Sequence, residues 1–209
     1  MRYLIFFLLL TLTACGPSGP TRATIQTSAG DIEVMLYPET ERHTANFIKL
    51  AEEGYYDGTL FHRVVPGFMI QGGDPDSKGA APGQPLSRGG PGYEIEEEIG
   101  APHIHGALAA ARTPNPEKRS SGSQFYIVTG ELMQDRDLDQ IARIKNITYS
   151  EAQREAYRTL GGRPDLDQDY TVFGEVTSGM DVVEAIAEME TDGVNRPLED
   201  VVIRSVTIH

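Results

Sequence analysis

Outside one polar stretch at 131–163, the chain beyond residue 23 is cut into short segments of strand length, and helical periodicity interrupts them at only two distant places. This constrains the fold more than any other feature. Parallel neighbours in a sheet need a crossover of a dozen or more residues, usually a helix. Regular strand–helix alternation is absent, so the pattern favours a mainly β fold, a closed antiparallel barrel, over a parallel sheet.

The segments can be placed one by one. Residues 24–27 and 31–37 flank a Ser28-Ala29-Gly30 turn, and Ile32, Val34 and Leu36 alternate with Asp31 and Glu33. Period two is the mark of a half-buried strand. Residues 41–53 read as a helix with Phe47, Ile48 and Ala51 on one face and Gly54 as its stop. Strands are predicted near 59–65 and 68–72, around Pro66-Gly67. Glycine and proline punctuate 72–92, and a loop of that length in a compact domain is usually functional or disordered. Short apolar segments at 106–111, 124–129 and 170–176 follow. Ser178 with Asp181 opens a second helix bearing Val182, Val183 and Ile186. Val201, Val202, Ile203, Val206 and Ile208 give a closing strand.

Residues 131–163 read as a helical insertion between two barrel strands. Thr148 and Glu151 have capping-box spacing, Tyr149, Ala152, Ala156 and Leu160 share one helical face, and Gly161-Gly162 ends it.

The N-terminus reads as an address label. Arg2 precedes an apolar run at 3–12, too short for a bilayer of roughly 30 Å, which takes about 20 apolar residues. It has the size of a signal-peptide core. Leu12-Thr13-Ala14-Cys15 resembles a bacterial lipoprotein processing site. That resemblance implies removal of residues 1–14 and lipidation of Cys15, with 15–22 as a tether and 23–209 as one domain. Durable anchoring takes two or more acyl chains. The expected location is the bacterial cell envelope, on the periplasmic side or at the outer membrane.

Composition narrows the partners. The formal net charge of −13 disfavours nucleic acid, whose phosphates need concentrated positive surface. A single cysteine excludes an intramolecular disulfide. His103 and His105 could share one face of a strand near Glu96, Glu97 and Glu98, but no further ligand spacing supports a metal, and none is assigned. Asp165-Leu166-Asp167-Gln168-Asp169 begins like a calcium loop and fails at Tyr170 and Val176, where glycine and glutamate are required.

Residues 61–75 read FHRVVPGFMIQGGDP, 122–127 read GSQFYI and 170–176 read YTVFGEV. In this order and spacing they resemble the cyclophilin family, and the likeness extends over nearly all of 24–209 outside the insertion. It implies an eight-stranded antiparallel barrel capped by two α-helices, and peptidyl-prolyl cis/trans isomerase activity on proline-containing polypeptides, with no cofactor. A single copy is expected.

The chemistry such an activity needs is modest. The amide barrier is about 18–20 kcal/mol and arises from nitrogen lone-pair donation into the carbonyl. Twisting the bond removes that donation, and the nitrogen becomes able to accept a hydrogen bond. A donor near the prolyl nitrogen, an apolar pocket for the ring and a grip on one side of the bond suffice. By the resemblance, Arg63 is the donor and contacts the substrate carbonyl side with Gln71. Phe68, Met69, Tyr126, Leu166 and Tyr170 line the proline pocket. Ala111, Arg112 and Gln124 match positions that bind substrate backbone, and His62 matches the family's histidine. Gly72 and Gly73 let a peptide backbone approach closely. Phe125 is expected inside the barrel.

Four positions depart from the family pattern, one of them Arg112, where asparagine is often found. Asp165 stands where many members carry tryptophan, which implies weak cyclosporin binding. Tyr170 replaces a common histidine, and Tyr126 a common phenylalanine. These changes, together with the insertion, keep a second function class open: a non-catalytic binding module or holdase for proline-containing segments at the cell envelope.

Overall fold

The computed structural model describes residues 19–209. The expected leader and the lipidation of Cys15 lie outside the described residues. The strands are β1 (Arg22–Thr27), β2 (Asp31–Leu36), β3 (Arg63–Val65), β4 (Met69–Gly72), β5 (Ala107–Ala110), β6 (Phe125–Val128), β7 (Val172–Ser178) and β8 (Ile203–Ile208). The helices are α1 (Glu41–Glu52), α2 (Asp135–Lys145), α3 (Glu151–Thr159) and α4 (Met180–Ala187).

All eight strands join one sheet in the order β3-β4-β6-β5-β7-β2-β1-β8, and every pairing is antiparallel. The expected closed barrel is instead an open, curled half-barrel. The reason lies at its edges. β3 ends after three residues, and no ladder joins it to β8. Only the segments around them are stitched: Leu60 bridges Val202, the Phe61 amide donates to Val201 O at 2.9 Å, and the Gly58 amide donates to Ile203 O at 2.8 Å. At the other end of the described residues, Arg22 pairs with Met35 inside the sheet, although the sequence reading sets it before the domain.

Strand alternation sorts the side chains onto two faces. Phe125 and Ile127 of β6 enter the main core with Ile25, Leu36, Phe61 and Ile203. Phe47, Tyr56 and Phe61 meet the Phe125 ring edge-on at 5.7, 5.6 and 6.0 Å. Such pairs add about 0.5–1.5 kcal/mol each beyond area burial. Tyr126 and Val128 point the other way, into a second cluster with Met69, Ala109 and Val172. Gly73, at φ +82°, allows the turn after β4, where a Cβ would sit 2.3 Å from Ser123 O.

Helix α1 lacks a side-chain cap from its own N-cap residue, Thr40. Its exposed N–H groups are taken from afar: Glu98 accepts from the Arg42 and His43 amides, both at 3.0 Å. The same carboxylate meets His43 Nδ1 at 2.6 Å, and His43 Nε2 reaches Ser120 Oγ at 2.9 Å. α1 and α4 flank the core, while α2 and α3 make up the insertion.

The helix starts differ from the sequence reading. Ser178 ends β7, and α4 begins after Gly179 with no side-chain cap. In α3 the capping box is Ser150 with Gln153, not Thr148 with Glu151. The buried face also shifts: Tyr157 is fully buried, whereas Leu160 is exposed. The insertion leaves and rejoins the body at one place, where the Gly162 amide donates to Glu131 O at 3.0 Å.

Candidate active site

Strand register brings Arg63 of β3 opposite Gln71 of β4, and Gln71 opposite Tyr126 of β6. On this face lies a cavity of about 100 Å³ lined by Arg63, Phe68, Met69, Gln71, Ala111, Arg112, Tyr126, Leu166 and Tyr170. Its apolar wall comes from the second cluster, and its polar edge from a relay of side chains. Arg63 Nη1 donates to Gln71 Oε1 at 3.1 Å, Gln71 Nε2 to Gln124 Oε1 at 2.9 Å, and Gln124 Nε2 to Gly89 O at 2.8 Å. The long glycine-rich loop thus anchors the relay through one carbonyl.

Arg63 is half-buried, and burial lowers its pKa. A guanidinium remains protonated in proteins all the same. Its Nη1 also approaches Met69 Sδ at 4.0 Å, and its Nε and Nη2 groups make no hydrogen bond among the described residues. The cavity beside Arg63 combines the apolar side chains of Phe68, Met69, Ala111 and Leu166 with the polar groups of Gln71, Arg112, Tyr126 and Tyr170. The guanidinium stands 5.6 Å from the centre of the Phe68 ring. Arg163, from the end of the insertion, stacks closer on that ring, at 4.0 Å, and is itself gripped by Asp165 at 2.8 and 2.7 Å. Burial would raise the Asp165 pKa, but Arg163 more than offsets this and holds it below its ordinary value.

Four of the expected site residues lie off the cavity. Gln124 reaches it only through Gln71. Gly72 packs inward, where a Cβ would meet Ile203, Phe61 and the Leu60 carbonyl at 3.3 Å. The close approach at Gly73 likewise serves this chain's own backbone. His62 is buried, its ring nitrogens make no hydrogen bond among the described residues, and burial lowers its pKa. Of the backbone-binding candidates, Ala111 donates to Gln124 O and accepts from the Ser121 amide. The main-chain N–H and C=O of Arg112 make no hydrogen bond among the described residues. Its side chain donates from Nε to Asp169 O at 2.8 Å and lies 4.7 Å over the Tyr170 ring.

His103 and His105 do not share a face. His103 points inward to Asp167 and Tyr126, whereas His105 meets Glu184 at 2.9 Å. Sequence reasoning missed His103, Asp167, Tyr149, Tyr157 and Arg163 as neighbours of the site. One signal was present: a buried tyrosine at 126 needs a partner for its hydroxyl.

Comparison with known proteins agrees with this geometry. The profile of the cyclophilin type peptidyl-prolyl cis-trans isomerase/CLD family matches residues 22–208. A Staphylococcus aureus protein assigned as a peptidyl-prolyl cis-trans isomerase is 37% identical over 191 residues, which is 91% of this chain and 92% of that protein. A Streptococcus pyogenes protein assigned as a bifunctional phosphatase/peptidyl-prolyl cis-trans isomerase is 37% identical over 91% of this chain but only 39% of its own length. Among solved structures, a Cryptosporidium parvum cyclophilin type isomerase superposes with a TM-score of 0.65 at 24% identity, covering 91% of this chain and 98% of that one. The same protein crystallised in the presence of the dipeptide Ala-Pro gives 0.64. With a family profile spanning nearly every described residue and a relative above a third identical end to end, the chain belongs to the cyclophilin-type peptidyl-prolyl cis-trans isomerase family.

Proposed function

We propose that this cyclophilin-type peptidyl-prolyl cis-trans isomerase acts through Arg63 on Xaa-Pro bonds of exported polypeptides, tethered to a membrane by lipid on Cys15. The observation that carries the catalytic part is the half-buried Arg63 on the cavity wall, one Nη fixed on Gln71 and its Nε and Nη2 without a hydrogen bond among the described residues.

The prolyl ring would enter between Phe68, Met69, Tyr126, Leu166 and Tyr170. Arg63 then supplies a hydrogen bond to the prolyl nitrogen, which accepts only once the amide is twisted. An interaction present only in the transition state raises kcat. A charge-assisted hydrogen bond contributes about 1.5–3 kcal/mol, about one to two decades of rate. The remainder comes from desolvating the amide and holding its twisted geometry. Main-chain groups of Arg112, without hydrogen bonds among the described residues, would pair with the peptide backbone. No cofactor takes part in these steps.

The tether rests on the apolar run at 3–12 followed by Leu12-Thr13-Ala14-Cys15. Among the described residues, no helix is long and apolar enough to cross a membrane. The client would be a polypeptide folding at the envelope surface.

The test is exchange NMR on short Xaa-Pro peptides with the unlipidated protein and with Arg63→Ala. Fast cis–trans exchange that Arg63→Ala slows about ten- to hundredfold is expected. A folded protein that binds these peptides without accelerating exchange would be a binding module instead. Radiolabelled palmitate incorporation into the full chain, lost in Cys15→Ala, tests the tether.

A further inference from the structure

We propose that His103, Asp167, Tyr149 and Tyr157 are positioning residues for the pocket, holding its Tyr126 wall from the helical insertion. The inference rests on reading that pocket as the proline site.

Tyr126 lines the cavity with its ring, and its hydroxyl lies 3.0 Å from His103 Nε2. His103 stacks along that ring at 6.1 Å and 13°, while Tyr170 meets it edge-on at 6.0 Å and 85°. Behind His103 stands Asp167. Its Oδ1 accepts from His103 Nδ1 at 2.9 Å and from the His103 amide at 2.8 Å. Its Oδ2 accepts from Tyr149 at 2.9 Å and Tyr157 at 2.7 Å. Four donors converge on one carboxylate.

A carboxylate only accepts, so His103 Nδ1 donates to Asp167, and in the neutral imidazole the Nε2 lone pair takes the Tyr126 hydroxyl. The tyrosine is then a donor to the protein and not to the substrate. Its ring is held at both ends, by strand β6 and by the imidazole. Burial drives the Tyr126 hydroxyl well above its ordinary pKa, which keeps it in the donor form.

The cost of the arrangement argues for a purpose. All five side chains are buried, and buried polar groups destabilise unless every one is satisfied. A phenylalanine at 126 would need none of the others. Asp167 also joins the insertion to the pocket loop from two directions. Tyr149 precedes α3 and Tyr157 lies on it, while Lys145 of α2 donates to Asp167 O at 2.8 Å. Asp167 follows Leu166, a pocket residue, directly in sequence. The insertion is thereby built into the wall of the site.

Tyr157→Phe removes one hydroxyl and keeps the ring. It is to be made in the full chain, in the native background and in Tyr126→Phe, with Tyr149→Phe as a second probe of the same carboxylate. Affinity for an Ala-Pro-containing peptide is read by titration, isomerisation by exchange NMR, and the His103 tautomer by long-range 1H–15N spectra. The expected result is a peptide affinity about three- to tenfold weaker in the native background, the size of one hydrogen bond. No further loss is expected in Tyr126→Phe, and His103 should carry its proton on Nδ1. A merely structural role would cost the same in both backgrounds. Equal losses, no loss in the native background, or a proton on Nε2 would each overturn the proposal. Binding without catalysis would sink the isomerase reading and leave this one standing; failure to bind any proline peptide would sink both.

Discussion

The guanidinium of Arg163 lies 4.0 Å over the ring of Phe68, closer than that of Arg63 at 5.6 Å. One pocket wall thus carries two cations, one from strand β3 and one from the end of the insertion, beyond α3. Arg163→Ala should leave Phe68 free to change rotamer and turn Asp165 loose. A cation–π contact contributes about 0.5–2 kcal/mol, so KM for an Xaa-Pro peptide should rise about two- to thirtyfold with kcat little altered. Steady-state kinetics decide it; a fall in kcat at constant KM would contradict the positioning role.

The relay behind Arg63 makes a graded prediction. Gln124→Ala leaves Gln71 Nε2 without its acceptor and detaches the relay from Gly89 O. One neutral hydrogen bond contributes about 0.5–1.5 kcal/mol, so kcat/KM should fall about two- to twelvefold, less than for Arg63→Ala. A Gln124→Ala loss as large as that of Arg63→Ala would place Gln124 in direct contact with substrate.

Acid should unfold the protein in two stages. Burial holds the His43 pKa below its ordinary 6.5, despite the opposing pull of Glu98. A group with a lowered folded pKa binds fewer protons folded than unfolded, so its contribution is complete above 6.5 and lost as pH falls below it. His62 is lowered for the same reason and acts in the same sense. Burial would raise Glu98, but hydrogen bonds from His43 and from the Arg42 and His43 amides hold it below its ordinary 4.5. Its contribution is present above 4.5 and lost below. Urea midpoints should therefore be flat from pH 7 to 8, decline below about pH 6.5, and decline again below about pH 4.5. Glu98→Gln should shrink the second decline, leaving the share of Asp165 and Asp169, which salt-bridged cations also hold below their ordinary value; an undiminished decline would assign that step elsewhere.

Cyclosporin should bind weakly. Asp165 offers no ring N–H, and its carboxylate is fully engaged by Arg163. A calorimetric titration with the native protein should show no tight complex, whereas Asp165→Trp should gain affinity. Tight inhibition of the native protein would contradict this.

The strands were legible because their residues alternate. Ile32, Val34 and Leu36 point to the core as their spacing requires, and Phe125 and Tyr126 part to opposite faces as neighbours in a strand must. The cavity was legible because the residues around Arg63 keep the family's order. What sequence could not give was pairing between distant side chains. His103 and His105 are two apart in sequence, yet one serves Asp167 and the other Glu184. Asp167 looked like part of a failed calcium loop, because its four donors come from three separate segments. The capping box slipped from Thr148 to Ser150 because two overlapping patterns compete. Tyr149 must stay outside the helix to reach Asp167, and that choice is tertiary. Barrel closure was also unreadable: it depends on how far β3 runs, and β3 stops at Val65.

The placement of β1 between β2 and β8 has a consequence for the timing of folding. Ile25 faces Ile32 on one side and Val206 on the other, so the first strand waits for nearly the whole chain before its second partner exists. Contacts this distant in sequence carry a large loop-closure cost and slow the search. A chain delivered N-terminus first cannot finish its sheet part-way. The final strand acts as the fastener, since β1 has its second ladder only once Ile203–Ile208 has arrived.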